Sequence, residues 1–572
     1  MPTFRNPVLP GCHPDPSVCR VGEDFYLVTS SFAYHPGIPL FHSRDLVRWT
    51  QLTHVLDRPG LPLDGLDTSD GIWAPTIRHH DGTFYVVSTL ARNRRGELTF
   101  VVTADDPAGP WSDPVPLEAE GIDPSLFFDD DGRCWLTACR DAPEDGPGEL
   151  WMRELDLDRL KLVGPTHVLW RGAVRGAWVE APHLYKRDGV YHLIAAEGGT
   201  ESNHSVTAAR AGAVTGPYVT DPRSPLLTHR HRDPGEPIQN VGHVDLVDTP
   251  DGETWAVALG VRPIEGTHTL GREVFLVPVT WSARGPVFAP ESGGVRLSER
   301  LPSIASEHPV SSGPPVTSEL PVASGPPVAS GSPIASGSPI ASELPVAPEP
   351  PLAPGPPITS QPSNTSEWPD DSGTTGRTSF DPPGLEWHSL RGPVGDRVRP
   401  SSSGTGLTID LGPEPLSSTG VPSFVARRQQ HVRFHARARI AFAATHPSEE
   451  AGLAVFQNQD HHATLALTVD ADGRPQVVLT VREAGTSTRL ASAPVTGDEA
   501  VLLAVEADET GYAFRCSDGT QWISLGTIER SLFSSERAGG FVGVRLGLYG
   551  TSNGRPSEGR AHVHWFDYDP AC

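Results

Sequence analysis

The chain has 572 residues, 37% of them hydrophobic and 13 of them Trp, so it is long enough for at least two packed domains. It carries 45 Lys and Arg against 70 Asp and Glu, and this formal net charge of −25 argues against nucleic acid or an anionic membrane as a partner. Because the N-terminal segment lacks the basic and apolar regions of a signal peptide and no stretch is apolar for long enough to span a bilayer, we expect a cytoplasmic protein.

A weak internal repeat runs through the first 300 residues. Each copy has a short acidic or glycine-containing turn, then an aromatic residue and a run of β-prone residues. The aromatic anchors lie 59, 50, 56 and 64 residues apart and are Tyr26, Tyr85, Trp135, Tyr191 and Trp255. This period suits one four-stranded blade per copy, so residues 1–300 are predicted to form a five-bladed β-propeller.

A second regularity lies 11 or 12 residues before each aromatic anchor. Every copy has one residue there that can take part in binding or catalysis: Asp15, Trp73, Asp123, Glu180 and His243. If this position lies on the innermost strand of each blade, the five side chains meet at the propeller axis. We therefore expect the functional site there.

The composition changes after about residue 300, where a loose repeat of Pro, Ser, Ala, Gly and Val begins. Such a segment has almost nothing to fill a core, so residues 301–377 are predicted to be a disordered linker. From residue 378 to 572, long strands alternate in polarity, with apolar residues at every second position from Phe434 to Ile440. This pattern predicts a β-sandwich, and the fold class is therefore all-β.

Three of the repeated positions are acidic, which suits hydrolysis of a glycosidic bond. Inverting hydrolysis needs one protonated carboxyl group for the leaving oxygen and one ionised carboxylate that activates water. Asp15 and Asp123 each precede a proline, which favours extended backbone at the start of a strand. Glu180 stands among apolar neighbours, which would raise the pKa of its carboxyl group and suit it to the acid role.

Seven segments, in this order, carry a family resemblance. They are residues 6–17, 30–46, 71–78, 180–186, 197–201, 239–243 and 270–273, and they include His13-Pro14-Asp15-Pro16, Gly71-Ile72-Trp73-Ala74-Pro75, Glu180-Ala181-Pro182-His183 and Gly242-His243. Together they resemble glycoside hydrolase family 43, in particular its two-domain β-xylosidases with a concanavalin-like sandwich. The resemblance covers residues 1–300 densely and 379–572 more loosely.

The resemblance implies a role for each of the three acidic residues. Asp15 would be the general base and Glu180 the general acid. Asp123 would be a third carboxylate that orients Glu180 and raises its pKa through the proximity of like charges.

Further residues match pocket positions of the family. The resemblance implies that Arg272 bonds to sugar hydroxyl groups and that Trp73 and Phe32 form aromatic walls. His243 matches a histidine that in some members helps to hold calcium, but a single imidazole is a poor calcium site, so we expect structural support. Residues 539–543 resemble the loop through which the sandwich helps to close the pocket.

Cysteine and histidine spacing gives no sign of a metal site. The six cysteines form no zinc-type pattern, so we expect free thiols and predict no cofactor, with calcium near His243 as the alternative. His204 lies in a family-like segment without an assigned role. His461 and His462 point to opposite sides of a predicted strand and are expected at the surface.

The sequence thus predicts an enzyme that releases xylose from the non-reducing ends of short β-1,4-xylo-oligosaccharides. An α-L-arabinofuranosidase, or an enzyme with both activities, is the nearest alternative, because the two sugars present similar hydroxyl groups. A non-catalytic carbohydrate-binding propeller is a different class and would require the loss of a carboxylate, whereas all three are present. The oligomeric state stays open, with a homo-oligomer among the alternatives.

Overall fold

The structure is a computed structural model of the chain. It describes residues 2–142, 148–174, 178–306, 378, 380, 384–401, 406–495 and 500–571. The predicted linker, residues 301–377, lies outside these residues except for its first six. Within the described part of the chain, no helix is long and apolar enough to cross a membrane.

Short antiparallel strands make up most of the first 306 residues. In chain order they are β1 (Thr3–Arg5), β2 (Ser17–Val21), β3 (Asp24–Val28), β4 (Tyr34–His35), β5 (Gly37–Ser43), β6 (Thr50–Leu56), β7 (Gly71–His80), β8 (Thr83–Arg92), β9 (Arg95–Ala104), β10 (Val115–Leu117), β11 (Ile122–Phe128), β12 (Cys134–Arg140), β13 (Glu149–Asp156), β14 (Lys161–Trp170), β15 (Val179–Arg187), β16 (Val190–Glu197), β17 (Ser205–Ala211), β18 (Val219–Thr220), β19 (Leu227–Thr228), β20 (Gln239–Asp248), β21 (Thr254–Val261), β22 (Glu273–Ser282), β23 (Gly285–Phe288) and β24 (Ser298–Arg300). A 3₁₀ turn at Ser303–Ser306 follows.

Most of these strands form the five blades of a β-propeller, as predicted. The blades are the sheets β2-β3-β5-β6, β7-β8-β9-β10, β11-β12-β13-β14, β15-β16-β17-β18 with β19 beside β17, and β20-β21-β22-β23. The first strand of each blade contacts the first strand of the next, and β20 contacts β2, so these inner strands form a closed ring. β1 pairs with β24 and ties the two ends of the propeller together.

The remaining strands belong to the C-terminal part of the chain. They are β25 (His388–Leu390), β26 (Val398–Pro400), β27 (Leu407–Asp410), β28 (Ser423–Arg428), β29 (Phe434–Ala441), β30 (Glu450–Asn458), β31 (His461–Val469), β32 (Pro475–Glu483), β33 (Thr486–Pro494), β34 (Val501–Ala507), β35 (Gly511–Ser517), β36 (Trp522–Glu529), β37 (Arg545–Thr551) and β38 (Arg560–Pro570). Two 3₁₀ turns, Gly395–Arg397 and Arg530–Phe533, and one helical turn, α1 (Ser535–Ala538), connect some of them.

These strands form the predicted β-sandwich. One sheet has the order β33-β32-β31-β30-β37-β28-β25-β4 and the other β26-β27-β38-β29-β34-β35-β36. Along β29 buried residues alternate with partly exposed ones, as the sequence pattern predicted. Every residue of β31 is buried, because one face of its sheet packs on the sandwich core and the other on the propeller. The expected surface position of His461 and His462 is therefore wrong.

The two domains share a sheet and a core. β4 lies within the first blade segment but pairs with β25, with His35 opposite Ser389 and Tyr34 opposite Leu390. Arg391 follows β25, and its buried Nε donates a hydrogen bond of 2.6 Å to the carbonyl of Leu66 in the propeller. The interface therefore holds sandwich loops at a fixed place beside the propeller axis.

Candidate active site

A cavity of about 650 Å³ lies where the five inner strands converge. All seven predicted site residues line it: Asp15, Phe32, Trp73, Asp123, Glu180, His243 and Arg272. The structure thus brings together side chains that are as much as 257 residues apart in sequence. The cavity volume falls within the roughly 300–1,000 Å³ that is usual for small-molecule sites.

The inner strands are irregular at the residues that line the cavity. The pairing register shifts around the functional residues of β7, β11, β15 and β20. Asp15, Asp123 and His243 have positive φ values of 56°, 54° and 43°. The prediction that the Asp-Pro pairs hold extended backbone is therefore wrong, because the aspartates adopt left-handed backbone. Bulges of this kind redirect side chains and are common beside active sites.

Asp15 is buried, and hydrogen-bond donors hold both of its carboxylate oxygens. Arg272 Nη1 donates to Oδ1 at 2.9 Å, and the Ser30 hydroxyl donates to Oδ2 at 2.6 Å. His243 Nδ1 lies 3.6 Å from Oδ1. Burial alone would raise the pKa of Asp15, but the Arg272 guanidinium, with help from His243 and Ser30, outweighs it and lowers that pKa. Asp15 is therefore ionised at neutral pH.

Glu180 and Asp123 experience the opposite electrostatics in the same cavity. Burial, followed by the charge of Asp15, raises the pKa of Glu180 to about 7. The pKa of Asp123 is raised well above its ordinary value by burial and by the charge of Glu180. Asp123 Oδ2 accepts a 3.1 Å hydrogen bond from the backbone N–H of Ala181, directly after Glu180. Both carboxyl groups therefore hold their protons to higher pH than an ordinary carboxyl group does, and the charge of Asp15 contributes to the raised pKa of Glu180.

Arg272 links Asp15 to the sandwich domain. Its Nη2 lies 3.5 Å from the carbonyl oxygen of Phe541, and its guanidinium lies 5.7 Å from the Phe541 ring. Phe541 also lines the cavity, and its N–H donates to the Ser69 hydroxyl at 3.0 Å. A Cβ on Gly540 would lie 2.3 Å from that hydroxyl oxygen, so glycine permits the close approach of the loop. The sequence indicated this loop but not the contact residue.

Aromatic rings form one wall of the cavity. The Trp73 indole donates a 2.8 Å hydrogen bond to the carbonyl of Ser69, and its ring meets Phe541 edge to face at 5.6 Å between centroids. Phe32 is buried, and its N–H bonds to the carbonyl of Ile72 at 2.9 Å. The rings present apolar faces beside the carboxylates, as a sugar-binding pocket requires.

His204 supports the strand that carries His243. Its Nδ1 lies 3.0 Å from the carbonyl oxygen of Asn240, and its ring packs where a Cβ on Gly242 would stand, at 2.4 Å from Nε2. Burial lowers the pKa of His204 to about 4 and also lowers that of His243, so both imidazoles are neutral at pH 7. The irregular backbone of β20 at Gly242 therefore packs against the buried, neutral His204 ring.

Polar residues beneath the cavity decide whether His243 can share in a calcium site. Each inner strand contributes one of them: Ser17, Arg78, Ser125, His183 and Asp245. Arg78 donates to both oxygens of Asp245, at 2.8 and 3.1 Å, and to His183 Nδ1 at 3.0 Å. Calcium prefers six to eight oxygen ligands, whereas here a guanidinium already neutralises the carboxylate. These residues do not fit a calcium ion, and no cluster of three His, Cys, Asp or Glu among the described residues suits a metal.

Comparison with known proteins agrees with this geometry over the whole chain. The family model for glycosyl hydrolases family 43 matches residues 4–287, and the model for the β-xylosidase C-terminal concanavalin A-like domain matches residues 377–569. A xylosidase/arabinosidase of Butyrivibrio fibrisolvens is 36% identical over 573 residues, which cover 98% of each chain. The chain belongs to glycosyl hydrolase family 43. This family 43 protein is therefore a glycoside hydrolase.

Two further relatives of this family 43 enzyme show the range of named activities. A non-reducing end α-L-arabinofuranosidase of Bacteroides ovatus is 34% identical and covers 99% of this chain and 94% of its own. The crystal structure of a xylan β-1,4-xylosidase from Bacillus halodurans superposes with a TM-score of 0.82 at 29% identity, over 99% of this chain and 100% of the other. The glycosidase class is thus shared, while the sugar differs among relatives.

The cavity of this family 43 enzyme also contains residues that the sequence analysis did not single out. They include Arg94, Cys139, Arg140, Trp178 and Glu201. Glu201 lies in one of the seven segments, and its charge contributes to the raised pKa of Glu180. Trp178 is 60% exposed, which for so large an apolar side chain marks a binding surface. An isolated Arg or Trp carries no such signal in the sequence.

Proposed function

We propose that this family 43 enzyme is an inverting exo-β-xylosidase that removes xylose from the non-reducing ends of short xylo-oligosaccharides. The observation that carries the proposal is the electrostatic difference between two carboxyl groups in one cavity, the buried Asp15 and the partly buried Glu180. The pKa of Asp15 is lowered and that of Glu180 is raised to about 7. One group is ready to take a proton and the other to give one, as acid–base hydrolysis of a glycosidic bond requires, and the proposal of inversion follows the family resemblance.

In the proposed reaction Asp15 activates a water molecule and Glu180 protonates the leaving oxygen. The water oxygen forms a bond to the anomeric carbon while the glycosidic C–O bond breaks, and the water proton passes to Asp15. Arg272 keeps Asp15 ionised, and Asp123 holds the backbone beside Glu180 through the Ala181 N–H. Trp73, Phe32 and Phe541 line the cavity beside the carboxyl groups, where their rings can pack on the sugar.

The first test is the stereochemistry of the product. We expect ¹H NMR of xylobiose hydrolysis to show α-xylose first, with β-xylose appearing only through mutarotation. Initial β-xylose would contradict inversion. Asp15→Asn and Glu180→Gln should each lower kcat by roughly 10²–10⁴-fold. Full activity in either variant would show that another residue performs the role assigned to the one replaced.

An α-L-arabinofuranosidase is the second candidate, because a relative with 34% identity over nearly the whole chain has that name. Comparison of kcat/KM on p-nitrophenyl β-xyloside and p-nitrophenyl α-arabinofuranoside separates the candidates. We expect the xyloside to be preferred. A higher kcat/KM on the arabinofuranoside would replace the proposed substrate without changing the roles of the carboxylates.

A further inference from the structure

Two arginines face each other in the sandwich sheet that packs on the propeller. Arg428 ends β28 and Arg545 begins β37, and they are direct partners in the strand register. Partners of this kind have Cβ atoms about 5 Å apart on the same face of a sheet. The exposed fraction is 5% for Arg428 and 3% for Arg545. Like charges in this arrangement repel each other, and burial strengthens the repulsion.

Within the described part of the chain, no carboxylate compensates the two charges. The titratable groups that act on Arg428 are Arg545, Cys12 and Tyr34, and those that act on Arg545 are Tyr34 and Cys12. Among the residues that the structure describes, neither arginine forms an ion pair with Asp or Glu. Burial and the charge of Arg545 lower the pKa of Arg428 to about 9, which still leaves it protonated at neutral pH.

The neighbouring groups satisfy the two guanidinium groups only in part. Arg428 Nε donates to the carbonyl of Cys12 at 2.7 Å, and its Nη1 lies 3.4 Å from His388 Nε2. The Arg545 guanidinium stacks on the Tyr34 ring at 3.5 Å from the centroid. Arg428 Nη2, Arg545 Nε and His13 Nδ1 are buried and have no hydrogen-bond partner among the residues that the structure describes.

His388 cannot complete the hydrogen bonding of Arg545. Its Nδ1 lies 2.9 Å from the carbonyl oxygen of Glu386 and must donate a proton there, so it cannot accept one from Arg545 Nη1 at 3.5 Å. Burial and the two arginines hold the pKa of His388 well below its ordinary value. The surroundings therefore offer neutral groups and unpaired donors, and unpaired buried donors of charged groups destabilise the folded protein.

We propose that Arg428 and Arg545, together with His13, bind a chloride ion at the interface of the two domains. A single small anion supplies the missing negative charge and accepts hydrogen bonds from the unpaired donors of both domains. The rival source of charge is the side chain of Cys12, a buried residue that interacts electrostatically with both arginines.

The same place is connected to the catalytic base. Arg428 holds the carbonyl of Cys12, and the N–H of His13 donates to the carbonyl of Arg272 at 2.9 Å. Asp15 follows two residues later and is itself bonded to Arg272. Chloride therefore stabilises the segment that positions the base, and its removal should lower kcat more than it changes KM.

Bromide substitution tests the binding site directly in the unaltered protein. Crystals grown without chloride and soaked in sodium bromide should show an anomalous peak between the guanidinium groups of Arg428 and Arg545. No peak there, or peaks only at the protein surface, would overturn the proposal.

Thermal unfolding tests whether chloride stabilises the protein and whether Cys12 supplies the negative charge instead. At constant ionic strength, replacing gluconate with chloride should raise Tm by roughly 3 °C. Arg428→Gln should lose this dependence. Arg437→Gln is the matched control, because Arg437 pairs with Asp567 at 2.7 Å in the other sheet. The Tm of this variant should still depend on chloride. Cys12→Ala should also keep this dependence. A wild-type Tm equal in both salts, or a dependence unchanged in Arg428→Gln, would overturn the proposal.

Discussion

At the scale of single residues, two carboxyl groups with opposite environments share one cavity. Asp15 must be ionised to act as the base, and its pKa is lowered, so activity should fall only below about pH 4. Glu180 must be protonated to act as the acid, and its pKa is about 7. We therefore expect a kcat/KM profile with a plateau at mildly acidic pH and a decline above pH 7. A profile that rises through pH 8 would contradict the assigned protonation states.

Glu201 allows a finer test of that decline. Its charge helps to raise the pKa of Glu180, so Glu201→Gln should move the alkaline limb of kcat/KM to lower pH and leave the acidic limb in place. Glu236→Gln is a suitable control, because Glu236 pairs with Arg232 away from the cavity. If the alkaline limb of the kcat/KM profile lies at the same pH in wild type and in Glu201→Gln, the carboxyl groups of Glu201 and Glu180 do not interact.

The acid role of Glu180 also predicts a dependence on the leaving group. p-Nitrophenolate departs without a proton, whereas the hydroxyl group of a xylose leaving group needs one. Glu180→Gln should therefore lose at least tenfold more activity on xylobiose than on p-nitrophenyl β-xyloside, whereas Asp15→Asn should lose similar activity on both. Equal losses for Glu180→Gln would assign the proton transfer to another group.

At the scale of elements, four of the five inner strands, β7, β11, β15 and β20, depart from regular pairing where they present their functional residues. In β20 this shape depends on Gly242, where a Cβ would lie 2.4 Å from the His204 ring. Gly242→Ala should cost about 1–3 kcal/mol of unfolding free energy and lower kcat, because the strain displaces His243. Gly212→Ala, which has free space and no positive φ, is the control for differential scanning calorimetry. Restored stability in Gly242→Ala/His204→Ala would confirm the clash as the cause.

The repeat in the sequence was sufficient to predict the blades and the convergence of Asp15, Asp123 and Glu180, because burial periodicity and blade spacing are local properties. The left-handed backbone of Asp15 was not predictable, since an Asp-Pro pair favours extended conformations when no tertiary contact opposes them. Phe541 and the layer around Arg78 were missed for a related reason. Their positions arise from contacts between distant segments, and the residues next to them in the sequence give no sign of these contacts.

At the scale of the whole molecule, the sandwich completes the active site of the propeller. Phe541 contacts both Trp73 and Arg272, so Phe541→Ala should lower kcat/KM by about tenfold through the loss of one aromatic wall. Phe541→Leu keeps apolar bulk and should recover part of the activity. Steady-state kinetics check both variants, with circular dichroism as the control for folding. Unchanged kcat/KM in Phe541→Ala would show that the sandwich does not contribute to binding.

The pairing of β1 with β24, together with the loop at Phe541, has a consequence for synthesis on the ribosome. Thr3–Arg5 can pair with Ser298–Arg300 only after the latter segment has been translated. The cavity lacks part of its wall until Phe541 has been made. Asp15, the proposed base, is translated 526 residues before Phe541 (541 minus 15), so its surroundings stay incomplete until that later segment has been made. A truncated nascent chain therefore carries all three acidic groups but no finished catalyst.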